Sequence, residues 1–131
     1  MVEREIVISD GEISLAKMST EDMENYFSLS REVSGIKDDS NGNIVMNTEK
    51  IWNSIVFGER VIYSILDEGM NFCGDIELQD VDSKTPGIGI EILEEKRNQG
   101  IGTKALILFL QIISAYLSYI MAYLVDIIVV L

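Results

Sequence analysis

Apolar and polar residues alternate through Ile13-Ser14-Leu15-Ala16-Lys17-Met18, the two-residue period of a half-buried strand. Ser19 or Thr20 then offers an N-cap, and Glu21 and Asp22 put negative charge in a first helical turn, where the helix dipole favours it. Met23, Tyr26, Phe27 and Ser30 recur on one face and predict the inward stripe of that helix. The polar stretch from Ser34 to Asn47 reads as a mobile loop rather than a domain linker, because neither flank could fold alone. Thr48 caps a second predicted helix, with Ile51, Trp52, Ile55 and Val56 at helical spacing and Gly58 as the stop.

A hairpin follows, with arms at 61–66 and 72–81 around a turn at Asp67-Glu68-Gly69. A further turn at 82–87 leads into Ile88-Gly89-Ile90-Glu91-Ile92-Leu93. From Thr103 the sequence is helical and very apolar. Residues 105–117 read as a buried helix, and the Val- and Ile-rich run 124–131 reads as a fifth strand buried on both faces. The whole is one domain, residues 1–131, with no internal repeat. Antiparallel strands followed by a helix packing across them predict a layered, mixed fold of the α+β class.

Composition narrows the chemistry. With 22 acidic and 10 basic residues the net charge is −12, which argues against a nucleic-acid partner, since phosphate backbones need clustered Lys and Arg. Such a charge is weakly compatible with a cationic acceptor such as an amine, and plain solubility is the readier explanation. The chain has no histidine, so Ser–His or Cys–His catalysis and imidazole-dependent metal sites are excluded, and no metal is expected. Cys73 is the only cysteine; it forms no internal disulfide, fits a reducing, cytoplasmic setting, and reads as a packed, inert thiol. Residues 1–10 carry Glu3, Arg4 and Glu5 and lack the long apolar core of a secretory signal.

The segment with the most chemical content is Arg97-Asn98-Gln99-Gly100-Ile101-Gly102, set between a predicted strand and a predicted helix. Glycine lets backbone amides approach a ligand closely, and the start of a helix offers further N–H groups to an anion. A Walker loop fails because Gly102 is followed by Thr103-Lys104 in the wrong order; a dinucleotide fingerprint fails because position 105 is Ala105. A plain strand-to-helix turn using glycine for geometry is the competing reading.

The run from Ile88 through Glu91, Arg97, Gly100 and Gly102 to Leu106 resembles the central motif of the GNAT acyl-CoA N-acyltransferase superfamily: a strand, an Arg/Gln-x-x-Gly-x-Gly/Ala loop, then a helix. The upstream order is similar too, especially to ribosomal-protein and polyamine acetyltransferase branches. The resemblance covers about residues 11–113, and the tail 114–131 is atypical. It implies a GNAT-like fold of three layers, α/β/α, around a mixed, mostly antiparallel sheet, lacking the usual C-terminal helix and hairpin. It also implies acetyl-CoA as cosubstrate, with main-chain groups of Ile92, Leu93 and Glu94 on the pantetheine arm. The pyrophosphate would sit on Arg97, Asn98, Gln99, Gly100, Ile101, Gly102 and Thr103. The reaction would be attack of a neutral amine on the thioester, after a base removes the ammonium proton. Glu91 is the candidate base and Glu77 the second choice; both also read as ordinary strand carboxylates. The tyrosine that serves the family as general acid has no counterpart, and Tyr116, Tyr119 and Tyr123 lie outside that motif.

The tail changes the functional picture. From Ala105 to Leu131 the only charged residue is Asp126. A buried helix and strand, a C-terminal membrane anchor, and a frameshifted or truncated tail compete as explanations. Asp126 is costly in lipid and no basic cluster flanks the run, so membrane association is disfavoured. An apolar surface left at this end predicts a homo-oligomer. The leading expectation is an acetyl-CoA-dependent N-acetyltransferase acting on a primary amine of a small molecule or protein. An inactive or truncated CoA-binding or interaction protein is the alternative, and a C-terminally membrane-anchored domain ranks below both.

Overall fold

A computed structural model describes residues 3–34, 53–55, 60–79 and 84–130. Along the chain run β1 (Ile6–Ser9), β2 (Ser14–Lys17), α1 (Asp22–Ser34), β3 (Ile62–Leu66), β4 (Phe72–Gln79), β5 (Gly87–Ile92), a 3-10 turn (Glu94–Lys96) and α2 (Ile101–Val130). The strands form one open sheet in sequential order, every neighbouring pair antiparallel. The class is α+β, as the alternation of patterns predicts.

Strand alternation sorts the side chains onto two faces. On one face Leu15, Ile65, Cys73 and Ile76 are buried against Ile101, Ala105, Leu108 and Phe109 of α2, with Ile88, Ile90 and Ile92 at the margin. On the other, Met23, Tyr26 and Phe27 of α1 cover Ile62 and Met18. The expected stripe of α1 is buried, including Ser30, and Leu29 joins it. The helix start is a reciprocal cap: the Asp22 N–H donates to Ser19 Oγ, and the Ser19 N–H donates to Asp22 Oδ2. Asp22 therefore does more than complement the dipole.

The β3–β4 hairpin forms where expected, but its turn differs in detail. Met70, not Gly69, takes the left-handed conformation, with φ 64°. The Asp67 side chain fixes this by accepting from the Asn71 backbone N–H and side-chain amide. Beyond the turn, Leu66 pairs with Phe72 while Ile65 pairs with Gly74. Cys73 is thus an extra residue, a bulge that resets the alternation of β4. It places Ile76 toward α2 and Asp75 and Glu77 toward α1. Cys73 itself is fully buried, and burial pushes its thiol pKa up, as expected of an inert packed cysteine.

Two expectations are corrected. The sheet gains its fifth strand at the N-terminal side, from Ile6–Ser9, which the short and polar-flanked sequence did not reveal. The run 124–131 supplies no described strand: α2 continues as helix to Val130, so the described sheet is wholly antiparallel rather than mixed. The physical reason is continuity. No Gly or Pro interrupts the chain after Gly102, and extending an existing helix adds a hydrogen bond per residue without a new nucleus. The predicted helix from Thr48 lies mostly outside the described residues, of which Asn53–Ile55 are helical. The loop from Ser34 to Asn47 also lies outside them, save for Ser34 at the end of α1.

Candidate functional site

The junction of β5 and α2 is built by local backbone chemistry. The strand ends at Ile92, and the Leu93 N–H still donates to the Cys73 carbonyl at 2.8 Å, prolonging the β4 contact. The 3-10 turn closes through Lys96 N–H to Leu93 O and Arg97 N–H to Glu94 O. Asn98 (φ 62°) and Gly100 (φ 80°) then reverse the path through left-handed backbone, a conformation glycine adopts without cost and asparagine tolerates. Lys104 N–H to Gly100 O is the first bond of α2. The amides of Ile101, Gly102 and Thr103 occupy the positions that no helical carbonyl can satisfy.

All ten candidate CoA-contacting residues therefore lie on one continuous strand–turn–helix unit. Their side chains divide. Arg97 Nε folds back onto the Ile92 carbonyl at 2.8 Å, and Gln99 Nε2 caps the Glu95 carbonyl at 3.1 Å. Ile101 packs into the α2 core, whereas Thr103 and Gly100 are exposed. Gly102 sits over Ile90 and Ile92 with room for a methyl group. Arg97 thus buttresses the loop through the strand end, and the Leu93 N–H and Ile92 carbonyl already have protein partners.

The carboxylates occupy the opposite, α1-facing side of the sheet. Glu91 stands on β5 directly across from Asp75 on β4, and Glu77 lies two residues further along β4, opposite Gly89. Glu91 is half-buried and accepts from Ser30 Oγ of α1 at 2.9 Å. Burial raises its pKa and the Glu77 charge adds to this, while hydrogen bonds from Ser30 and Asp75 oppose. Glu77 is buried and ion-paired with Arg60, which also donates to the Tyr26 hydroxyl at 3.2 Å. Burial, helped by the Glu77 charge, pushes the Tyr26 hydroxyl up to about 12.

Asp75 is the functional candidate that sequence reasoning missed. Its residue is 1% exposed, and its Oδ2 is buried without a hydrogen-bond partner. Burial drives its pKa far above the usual aspartate range, and the charges of Glu91 and Glu77 push the same way. The signal was present: in Gly74-Asp75-Ile76-Glu77 the polar residues share a face, and that face meets Glu91 once the two strands pair.

A second polar network lies beside the first. Arg4 grips the Asp22 carboxylate with both terminal nitrogens, and Ser64 Oγ donates to Asp22 Oδ2 at 2.6 Å. Close packing of β4 against β5 fixes the strands under the first network: a Cβ on Gly74 would clash with the Glu91 carbonyl oxygen. Among the described residues no group of three His, Cys, Asp or Glu side chains has metal-binding geometry.

The remaining candidate surface is α2 itself. Its sheet-facing residues are buried as far as Phe109, but Ile107, Leu110, Tyr116, Leu117 and Tyr119 are exposed. The stretch Ile101–Tyr119 is long and apolar enough to cross a membrane by length and composition, although part of it is the core helix of the domain. No family model matches the chain, and a search of curated proteins finds no match.

Proposed function

We propose that this chain is an acetyl-CoA-dependent N-acetyltransferase of the GNAT type, acting on a primary amine of a small molecule or protein. One observation supports it most: a glycine loop delivers unsatisfied helix-start amides at the end of the same strand that carries Glu91. Amides at a helix start suit a diphosphate. A carboxylate of raised pKa suits removal of a proton from an ammonium group. The order of strands and helices before the loop agrees with that reading. Glu77 is less suited to the base's role, because Arg60 already neutralises it.

In this proposal the α1-facing carboxylates attract a cationic acceptor, and the reaction runs by direct attack of the amine on the thioester carbonyl. The protein would work in the cytoplasm. The exposed apolar side of α2 favours self-association, since surfaces of this kind are seldom left open to water.

Calorimetric titration with acetyl-CoA, followed by measurement of CoA release with a panel of primary amines, tests the proposal. Binding and amine-dependent release support it. Binding without release from any amine favours the non-catalytic CoA-binding alternative, and failure to bind acetyl-CoA rejects both.

A further inference from the structure

Ser64 on β3, Asp75 on β4 and Glu91 on β5 form a row across the sheet, each directly opposite the next. Among the described residues, the hydrogen-bond donors around that row are committed elsewhere. The Ser64 hydroxyl goes to Asp22, the Ser30 hydroxyl to Glu91, and the Arg60 guanidinium to Glu77 and Tyr26. Asp75 Oδ2 is left buried and unpartnered between them. An ionised carboxylate in that position would carry an uncompensated charge beside two others, an arrangement that proteins avoid by retaining a proton.

We infer that Asp75 is a positioning residue for Glu91: it remains a neutral carboxylic acid whose hydroxyl donates across the strand pair to the Glu91 carboxylate. With Ser30 it holds Glu91 from two directions, so the carboxylate cannot swing away from the sheet. The pair then carries a single negative charge. The catalytic consequence rests on the acetyltransferase reading. Glu91 accepts the proton of the acceptor ammonium and becomes a second neutral acid, and the amine lone pair is freed for attack on the thioester. Asp75 gives up no proton in that step. Among the described residues, the charged and titratable groups facing the pair are Glu77 on β4, Arg60 before β3, and Tyr26 on α1; Asp22 lies behind Ser64.

The test is a carbon-13 carboxyl titration of the full chain by NMR between about pH 4 and pH 10, a range that spans ordinary carboxylates and the proposed acid. Asp75 is expected to keep its protonated chemical shift through neutral pH. In Glu91→Gln its titration moves toward lower pH, because the neighbouring negative charge is gone. An Asp75 signal that titrates near the ordinary aspartate value of about 3.9, or one unmoved in Glu91→Gln, overturns the inference. The wild-type measurement decides the point even if a variant fails to fold.

Activity supplies a separate readout. Asp75→Asn keeps a donor to Glu91 and is expected to retain most amine-dependent CoA release. Asp75→Leu loses that donor, and its pH profile shifts on the limb that reports the base. Equal activity and identical pH profiles for the two variants overturn the positioning role. A wild-type chain that releases no CoA with any amine rejects the acetyltransferase reading, and the titration still decides whether Asp75 holds a proton against Glu91.

Discussion

Ser64 Oγ donates to Asp22 Oδ2 at 2.6 Å, tying the middle of β3 to the first turn of α1 across 42 residues of sequence. Burial pushes the Asp22 carboxyl up, but hydrogen bonds from Arg4, Ser64 and Ser19 together outweigh it and hold the group below its usual range. A carboxyl depressed in the folded state contributes stability that is present above its unfolded pKa and is lost as pH falls through the folded value. Urea unfolding at neutral pH should show Ser64→Ala destabilised by about 1–3 kcal/mol, the cost of leaving a buried acceptor short of a donor. The same measurement repeated at decreasing pH should show the wild type losing this increment below about pH 4, with Asp22→Asn lacking that acid-dependent loss.

Asp75 behaves in the opposite sense. Its folded pKa is raised, so the folded state binds the extra proton and stability falls as pH climbs from the unfolded aspartate value toward the folded one. One such proton changes stability by at most about 1.4 kcal/mol per pH unit. Asp75→Asn removes that dependence. Stability curves of the two proteins should converge near pH 4 and separate at alkaline pH, the variant being the more stable. Parallel curves across the range would contradict a raised Asp75 pKa.

Thr103 separates ligand binding from folding. It is exposed in the first turn of α2, where a carboxylate is favoured by the helix dipole. Thr103→Glu should therefore leave the melting temperature unchanged or slightly higher. If a pyrophosphate sits on those amides, the same substitution sets like charges together, and calorimetry should show acetyl-CoA affinity reduced about tenfold or more, equivalent to at least about 1.4 kcal/mol. Undiminished affinity would remove the α2 start from the proposed site.

The exposed side of α2 gives a prediction about assembly. Leu117 is 55% exposed and Tyr119 is 71% exposed. The double variant Leu117→Glu and Tyr119→Lys should shift sedimentation toward monomer with little change in helix content by circular dichroism. A monodisperse wild-type monomer would rule out self-association through this surface.

The parts of the fold legible in the sequence are those whose signal is local. The α1 stripe, the β3–β4 hairpin and the glycine loop each announce themselves through spacing or turn residues within a short window. β1 carries four residues, with Ile6 and Val7 both 42% exposed, so no buried period marks it. The end of α2 misleads because Val and Ile favour strands on average, while the helix already running into them decides locally. Glu91 and Glu77 were legible as strand carboxylates near the loop. Asp75 was not, because its role depends on which residue of β5 lies opposite, and pairing register is a property of two strands rather than one.

Register also governs what this chain can tolerate. The single extra residue at Cys73 is absorbed in the bulge, so Phe72 and Gly74 pair with Leu66 and Ile65 in turn and the downstream faces of β4 are kept. Exchanging Cys73 for another small apolar residue is a matter of volume alone. Deleting it is a different kind of change: the bulge would close with the downstream pairing of β4 intact, but the carbonyl placed to receive the Leu93 N–H at the end of β5 would be lost. Substitution and deletion at the same codon thus differ by one backbone acceptor at the approach to the glycine loop, so length at this site should be held more strictly in descent than residue identity.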